Sequence, residues 1–151
     1  MRFVADCMLG SLAKWLRVLG FDTIYQRSYG PGFPAGFPMD DRILLSRRQA
    51  RVASHPGAVL IRAERTGPQL MEVRESLGID PPPSQWFSRC IRCNAPLEPA
   101  PDNLSETVPD YVQAIHHGAI RFCPVCRRCF WPGTHRERML AQLADWGFPA
   151  G

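Results

Sequence analysis

The stretch RFVADCMLGSLAKWLRVLGFDTIY, residues 2–25, decides the fold of this 151-residue chain. Residues 2–5 are typical of a short buried strand, and residues 23–25 of a second one. A helix between them is indicated by leucines at helical spacing, Leu9, Leu12, Leu16 and Leu19. Gly20 marks its end. Strand, helix and strand at this spacing predict a right-handed parallel crossover, which is the unit of an α/β domain.

Further elements follow along the first half. Residues 28–38 are rich in glycine and proline and predict a loop. Residues 43–46 could form a strand or begin a helix, whereas residues 58–62 are typical of a buried strand. Leu70, Val73 and Leu77 indicate an amphipathic helix, with Gly78 as its cap. The chain should therefore begin with a small parallel-sheet domain.

A proline run at residues 81–83 is the best domain boundary, because neither a helix nor a sheet tolerates it. We therefore expect one domain over residues 1–83 and a second over residues 84–151. A terminal helix is predicted over residues 136–146, with Thr134 as its N-cap.

Paired cysteines dominate the second half. Two CxxC pairs are formed by Cys90 and Cys93 and by Cys123 and Cys126. Two such turns supply the four thiolates of a tetrahedral zinc site, so the pattern predicts a zinc ribbon with structural Zn²⁺. A redox pair is the alternative. Cys129 also follows Cys126 at CxxC spacing and could replace one ligand, although a four-ligand site leaves it out.

The composition limits the classes of function. The formal net charge is +4, and Lys14 is the one lysine among the 18 basic residues. Arginine suits contact with phosphate and stacking on bases, which favours RNA as a partner, although a G+C-rich genome that encodes arginine throughout gives the same composition. No apolar run is long enough to span a membrane, and Asp6 comes too early for a signal peptide. We expect a cytoplasmic location, where cysteines bind metal rather than pair.

Asp6 is the acid with the clearest possible role. It follows the first strand, and ligands of parallel sheets gather where strands end. With further carboxylates it would hold Mg²⁺ or Mn²⁺ and activate water for phosphodiester cleavage. A helix cap is the alternative for a single aspartate. The possible partners are Asp22, Asp40, Asp41 and Glu64.

Both ends of the chain resemble one family. Residues 2–6, 8–10, 12–17 and 19–23 are similar to the opening of the Mut-seven C-terminal RNase domain family. The two CxxC pairs, residues 108–112 and residues 130–139 are similar to its ribbon and tail. The resemblance implies a PIN-like α/β nuclease fold, here reduced in the middle, followed by a four-cysteine zinc ribbon.

The middle of the chain departs from the family pattern. The family places an aspartate in a Leu-Thr-Arg-Asp segment at the end of a strand, and residues 45–48 match it with Arg48 in place of the aspartate. The family's acidic pair could instead correspond to Asp40 and Asp41, which would make residues 41–50 a helix. Glu64 loosely matches a third acid. An arginine removes a metal ligand and adds a repelling charge, so cleavage is in doubt.

Three functions remain open from the sequence. The first is an RNA-engaging protein of this RNase family, which hydrolyses phosphodiesters with a divalent metal if its acidic site is intact. The second is a non-catalytic RNA-binding module, and the third a protein-interaction adaptor that uses its ribbon. The expected catalytic residues are Asp6, Asp40, Asp41 and Glu64. The expected contacts to RNA are Lys14, Arg17, Arg47, Arg48 and His135.

Overall fold

The computed structural model describes residues 1–27, 41–103 and 107–151. Its first half contains β1 (Arg2–Ala5), α1 (Gly10–Val18), β2 (Asp22–Tyr25), β3 (Arg42–Ser46), α2 (Gln49–Ser54), β4 (Val59–Leu60) and α3 (Thr66–Leu77). A 3₁₀ turn then precedes β5 (Glu98–Pro99), α4 (Asp110–Ile115), β6 (Arg121–Phe122), β7 (Cys129–Phe130) and α5 (Thr134–Asp145). The predicted loop over residues 28–38 lies outside the described residues.

A parallel four-stranded sheet forms the first half, in the order β2-β1-β3-β4. Ala5 at the end of β1 lies beside Tyr25 of β2 and Leu45 of β3. The predicted parallel pairing of two strands joined by α1 is therefore confirmed, and residues 43–46 belong to a strand. Because every strand runs in the same direction, the chain leaves β1, β2 and β3 at one edge, which we call the carboxyl edge.

Helix α1 packs its leucines into the core beside this sheet. Leu12, Leu16 and Leu19 are fully buried, and the ring of Phe3 meets that of Phe21 edge-on with centroids 5.4 Å apart. Helix α3 ends at Gly78, whose φ of +65° is the left-handed conformation that glycine adopts without strain. The helical spacing of the leucines and the helix ends at Gly20 and Gly78 thus agree with the predictions from the sequence.

Helix α5 packs into this same core. Met139, Leu143 and Phe148 are buried in the cluster that contains Phe3. Gly67 of α3 permits the close approach, because a Cβ there would lie 2.4 Å from the indole nitrogen of Trp146. The core of the first half therefore continues beyond the predicted boundary at residue 83 and includes α5.

A small antiparallel sheet of β5, β6 and β7 forms the ribbon, as predicted. Val108, Val112 and Ile120 form a second, much smaller core beside it. Gly133 caps α5, and Thr134 is its first residue, so the predicted N-cap was one residue too late. No helix in residues 1–27, 41–103 and 107–151 has the length and apolar character needed to cross a bilayer.

Arg17 joins the sheet domain to the ribbon. Its Nε donates to the carbonyl of Thr23 at 2.9 Å, and its Nη1 donates to the carbonyls of Ile91 at 3.0 Å and Arg92 at 3.1 Å. The residue is only 9% exposed. Burial lowers the pKa of its guanidinium, while the nearby Cys90 and Cys93 act in the opposite direction. This placement does not support the predicted contact of Arg17 with phosphate, because the side chain is buried between the two halves.

Asp22 forms a second link between the same two regions. Its carboxylate accepts hydrogen bonds from Arg42 at 2.8 Å, from Asn94 at 2.7 Å and from Arg2 at 3.2 Å. The Asn94 side chain in turn accepts the N–H of Thr23 at 2.9 Å. Partial burial acts to raise the pKa of Asp22, but the hydrogen bonds from Arg42, Asn94 and Arg2 outweigh it and hold the pKa well below its usual range.

Arg17→Met should lower the free energy of unfolding by about 3 kcal/mol, because three carbonyls lose a charged donor in a buried place. Urea titration followed by circular dichroism measures the change. Arg92→Ala is the matched control, since Arg17 binds only the backbone carbonyl of that exposed residue. Equal stability of Arg17→Met and the natural protein would contradict this role.

Asp22→Asn should lower the free energy of unfolding by about 2 kcal/mol at neutral pH, since charged hydrogen bonds are lost. A carboxylate whose folded pKa is depressed stabilises the fold fully above its unfolded pKa, and this stabilisation disappears as the pH falls. The difference between variant and natural protein should therefore shrink from about pH 5 to pH 3 in urea titrations. Asp80→Asn, at an 82% exposed carboxylate, should show no such trend. A constant difference for Asp22→Asn would refute the assignment.

Candidate metal centre and nucleic-acid interface

The two CxxC turns bring their sulfurs to one point. The Sγ atoms of Cys90, Cys93, Cys123 and Cys126 all lie within 4.8 Å of one another. Cys90 and Cys126, from different turns, have sulfurs 3.7 Å apart. Four thiolates about 2.3 Å from a tetrahedral zinc ion would lie about 3.8 Å from one another. The arrangement is therefore compatible with a structural zinc site.

Each turn holds its first sulfur in the same way. The N–H of Cys93 points to the Cys90 sulfur at 3.4 Å, and the N–H of Cys126 to the Cys123 sulfur at 3.5 Å. The next residue is left-handed in both turns, with φ of 64° at Asn94 and 61° at Arg127. Backbone N–H groups stabilise thiolates. The same geometry in both turns is therefore what a metal site shared between them requires.

The close sulfurs strongly perturb one another. Burial, followed by hydrogen bonding to Cys126 and repulsion from Cys90, raises the pKa of Cys93 to about 12. Burial also acts to raise the pKa of Cys126, but hydrogen bonds from Cys123, Cys93 and Cys90 lower it overall. Four thiols this close together resist losing all of their protons in the absence of a cation, because the resulting thiolates repel one another. A divalent cation would replace those protons and stabilise all four thiolates together.

Cys129 lies outside this group. It belongs to β7 and packs against the second core, and burial raises the pKa of its thiol. A thiol that stays protonated is a poor metal ligand and a poor nucleophile. This placement agrees with leaving Cys129 out of the ligand set.

Asp6 lies at the carboxyl edge, directly after the central strand β1. It is only 1% exposed, and its carboxylate accepts the hydroxyl of Ser46 at 2.5 Å and the N–H of Cys7 at 2.8 Å. The Ser46 hydroxyl also accepts the N–H of Arg48 at 3.1 Å. The residue that the end of β3 places against Asp6 is therefore a serine, which donates its hydroxyl to the carboxylate.

Two of the predicted acidic partners, Asp22 and Asp41, lie away from Asp6 in the part of the chain that the structure describes. Asp41 precedes β3 at the opposite edge, five residues or roughly 16 Å along the strand from Ser46. Asp22 begins β2 and is held in the junction with Asn94. Glu64 follows β4 on an exposed loop, and Asp40 lies outside the described residues. Within residues 1–27, 41–103 and 107–151, the four cysteines are the one group of three or more potential metal ligands.

The predicted basic residues are dispersed. Arg47 and Arg48 follow β3 at the carboxyl edge, where Arg47 is half-buried and Arg48 exposed. Lys14 is half-buried on α1, and Arg17 belongs to the junction. His135 is exposed in the first turn of α5, where it lines a cavity with Trp131. Of this set, only Arg47 and Arg48 directly follow a strand at the Asp6 edge.

Sequence reasoning missed the hydrogen bond between Ser46 and Asp6. The one signal for it was the resemblance of residues 45–48 to a segment at the end of a strand. A strand that ends there, parallel to the first strand, brings Ser46 close to Asp6. The left-handed Asn94 was also missed, although asparagine tolerates that conformation better than most residues.

Comparison with known proteins identifies the family. The model of the Mut7-C RNAse domain matches residues 1–143, which includes both the parallel sheet and the cysteine cluster. No curated protein and no solved structure matches the chain significantly. Because the family model extends over nearly the whole sequence, the chain belongs to the Mut7-C RNase domain family.

Proposed function

We propose that this protein binds RNA at the carboxyl edge of its parallel sheet and does not cleave it through Asp6. The single observation behind this proposal is the pairing of the buried Asp6 carboxylate with the Ser46 hydroxyl. The family is named for an RNase domain, which makes RNA the expected partner. RNA binding without hydrolysis is one of the functions that the sequence left open.

Hydrolysis by a divalent metal needs several oxygen ligands around one or two cations. In the described residues Asp6 has a hydroxyl neighbour from β3, and the carboxylates of Asp22 and Asp41 lie towards the other edge. Arg48 occupies the position where the family pattern has an aspartate. Its positive charge disfavours a cation at this edge and favours a phosphate instead.

Arginines follow three of the four strands at or beyond the carboxyl edge. They are Arg27 after β2, Arg47 and Arg48 after β3, and Arg62 and Arg65 after β4. Of the acids nearby, Asp6 is buried, and the Glu72 carboxylate accepts the N–H groups of Arg62 and Ala63. Glu64 is exposed between Arg62 and Arg65, so the five arginines still outnumber the exposed acid. An edge with this excess of guanidinium groups suits the phosphates of a nucleic-acid backbone.

The double substitution Arg47→Ala and Arg48→Ala should weaken binding of single-stranded RNA about tenfold at low salt. It should also reduce the slope of log affinity against log salt by about 1.4, since two phosphate contacts are lost. Fluorescence anisotropy between 50 and 200 mM salt, concentrations at which phosphate contacts change affinity strongly, measures both quantities. Arg2→Ala is the control, because Arg2 begins β1 at the opposite edge. An undiminished affinity in the double variant would place the RNA elsewhere.

A panel of single-stranded and structured RNAs should remain intact with Mg²⁺ or Mn²⁺, for the natural protein and for Asp6→Asn alike. Gel analysis over hours gives the result. Metal-dependent cleavage that Asp6→Asn abolishes would overturn the proposal and establish hydrolysis. Absence of RNA binding even at low salt would instead favour the adaptor function.

We further propose that the four-cysteine cluster holds one structural Zn²⁺. Thiolate ligands, tetrahedral sulfur spacing and two N–H-supported turns suit zinc better than the hard cations Mg²⁺ and Ca²⁺. Four protein ligands leave no open position for substrate, so the ion would stabilise structure. The second core of three residues is too small to fold this region alone.

Metal analysis should find one zinc ion per chain, and a chelator should unfold the ribbon selectively. Hydrogen exchange should then lose protection around Val112 and Ile120, while Leu16 and Leu143 of the main core remain protected. Cys126→Ala should abolish metal binding, and Cys129→Ala should leave it intact. A chain without zinc, or equal metal loss in both variants, would refute the site.

A further inference from the structure

A cavity of about 360 Å³ lies between the ribbon and the start of α5. Its walls include Phe87, Tyr111 and Trp131, together with Arg121, His135 and Arg136. Among residues 1–27, 41–103 and 107–151, no aspartate or glutamate lines it. Aromatic faces beside guanidinium groups, without acids, make a surface that suits flat, electron-rich rings attached to phosphate.

Phe87 lies in this wall at a conformational cost. Its φ is 57°, which is unusual for a bulky side chain and costs on the order of 1–3 kcal/mol. Its N–H donates to the carbonyl of Val18 at 2.7 Å, which helps to hold this conformation. The strained backbone places the Phe87 ring under the guanidinium of Arg136, 4.5 Å from the ring centroid. Strain of this kind is characteristic of ligand clamps.

Tyr111 forms an exposed part of the same wall. Its side chain is 68% exposed, on the first turn of α4, and it is one of few large apolar side chains that face solvent in the described residues. Arg121, on β6, is also exposed. An aromatic ring and a guanidinium that both reach solvent at a cavity rim can contact a ligand without rearrangement of the core.

We propose that this cavity binds one nucleobase of single-stranded RNA, stacked by Tyr111 and Trp131, with Arg121 and His135 contacting the adjoining phosphate. The inference extends the proposed RNA binding to a second contact, remote in sequence from Arg47 and Arg48. The volume accommodates a base and its ribose, and is at the lower end of the range for ligand pockets. The positive charge of Arg121 and Arg136 in the lining, with no acid among the described lining residues, favours RNA over an apolar protein segment as the occupant.

The test compares two short RNAs of equal length, one uridine oligomer and one with abasic sugar–phosphate units. The natural protein should bind the uridine oligomer about tenfold more tightly, because stacking depends on the base. Tyr111→Ala should remove most of that preference, whereas Arg121→Ala should weaken both ligands and reduce the salt slope by about 0.7. Ile115→Ala is the matched control, since Ile115 is 71% exposed one helical turn further along α4 and does not line the cavity.

Equal affinity for the two RNAs, unchanged by Tyr111→Ala, would overturn the cavity as a base site while leaving binding at the carboxyl edge intact. Absence of binding to both would overturn the two proposals together. A second measurement acts on the cavity alone. The indole N–H resonance of Trp131 should shift on titration with adenosine monophosphate, and less so in Tyr111→Ala. An unshifted resonance at saturating nucleotide would also refute the proposal.

Discussion

The guanidinium of Arg17 holds the first cysteine turn against the parallel sheet, and the rest of the molecule depends on this contact. A buried cation is costly unless its donors are satisfied, and here three carbonyls from both sides of the junction satisfy them. Asp22 and Asn94 add a second link from β2 to the same turn. These hydrogen bonds fix the cysteine turn relative to the sheet without a metal ion. The carboxyl edge and the ribbon therefore belong to one framework.

Those features of the fold that depend on short sequence separations could be predicted. The leucine spacing of α1, the stop at Gly20 and the cap at Gly78 each depend on neighbours within one or two helical turns. The same is true of each CxxC turn, whose geometry is local. Parallel pairing followed from the crossover, because a helix of this length between two strands leaves few other connections.

Contacts between distant residues could not be predicted in this way. Arg17 was expected to contact RNA, yet two of its hydrogen-bond partners lie 74 and 75 positions further along the chain. The sequence likewise predicted helix α5 without indicating which surface it packs against. In the structure it packs into the core around Phe3. The position of Asp41 could not be predicted for a related reason: it is close to β3 in sequence but lies at the amino end of that strand, so strand direction separates it from Asp6.

The cysteine cluster has a structural connection to the cavity as well as to the sheet. The turn from Cys123 to Cys126 joins β6 to β7, and these strands supply Arg121 and Phe130 to one wall of the cavity. The other turn carries Ile91, which lines the same cavity as Phe87. A metal ion bound to both turns would fix the separation of these walls. Zinc would then act on RNA only indirectly, by keeping the aromatic and cationic groups of the cavity at the spacing that a stacked base requires.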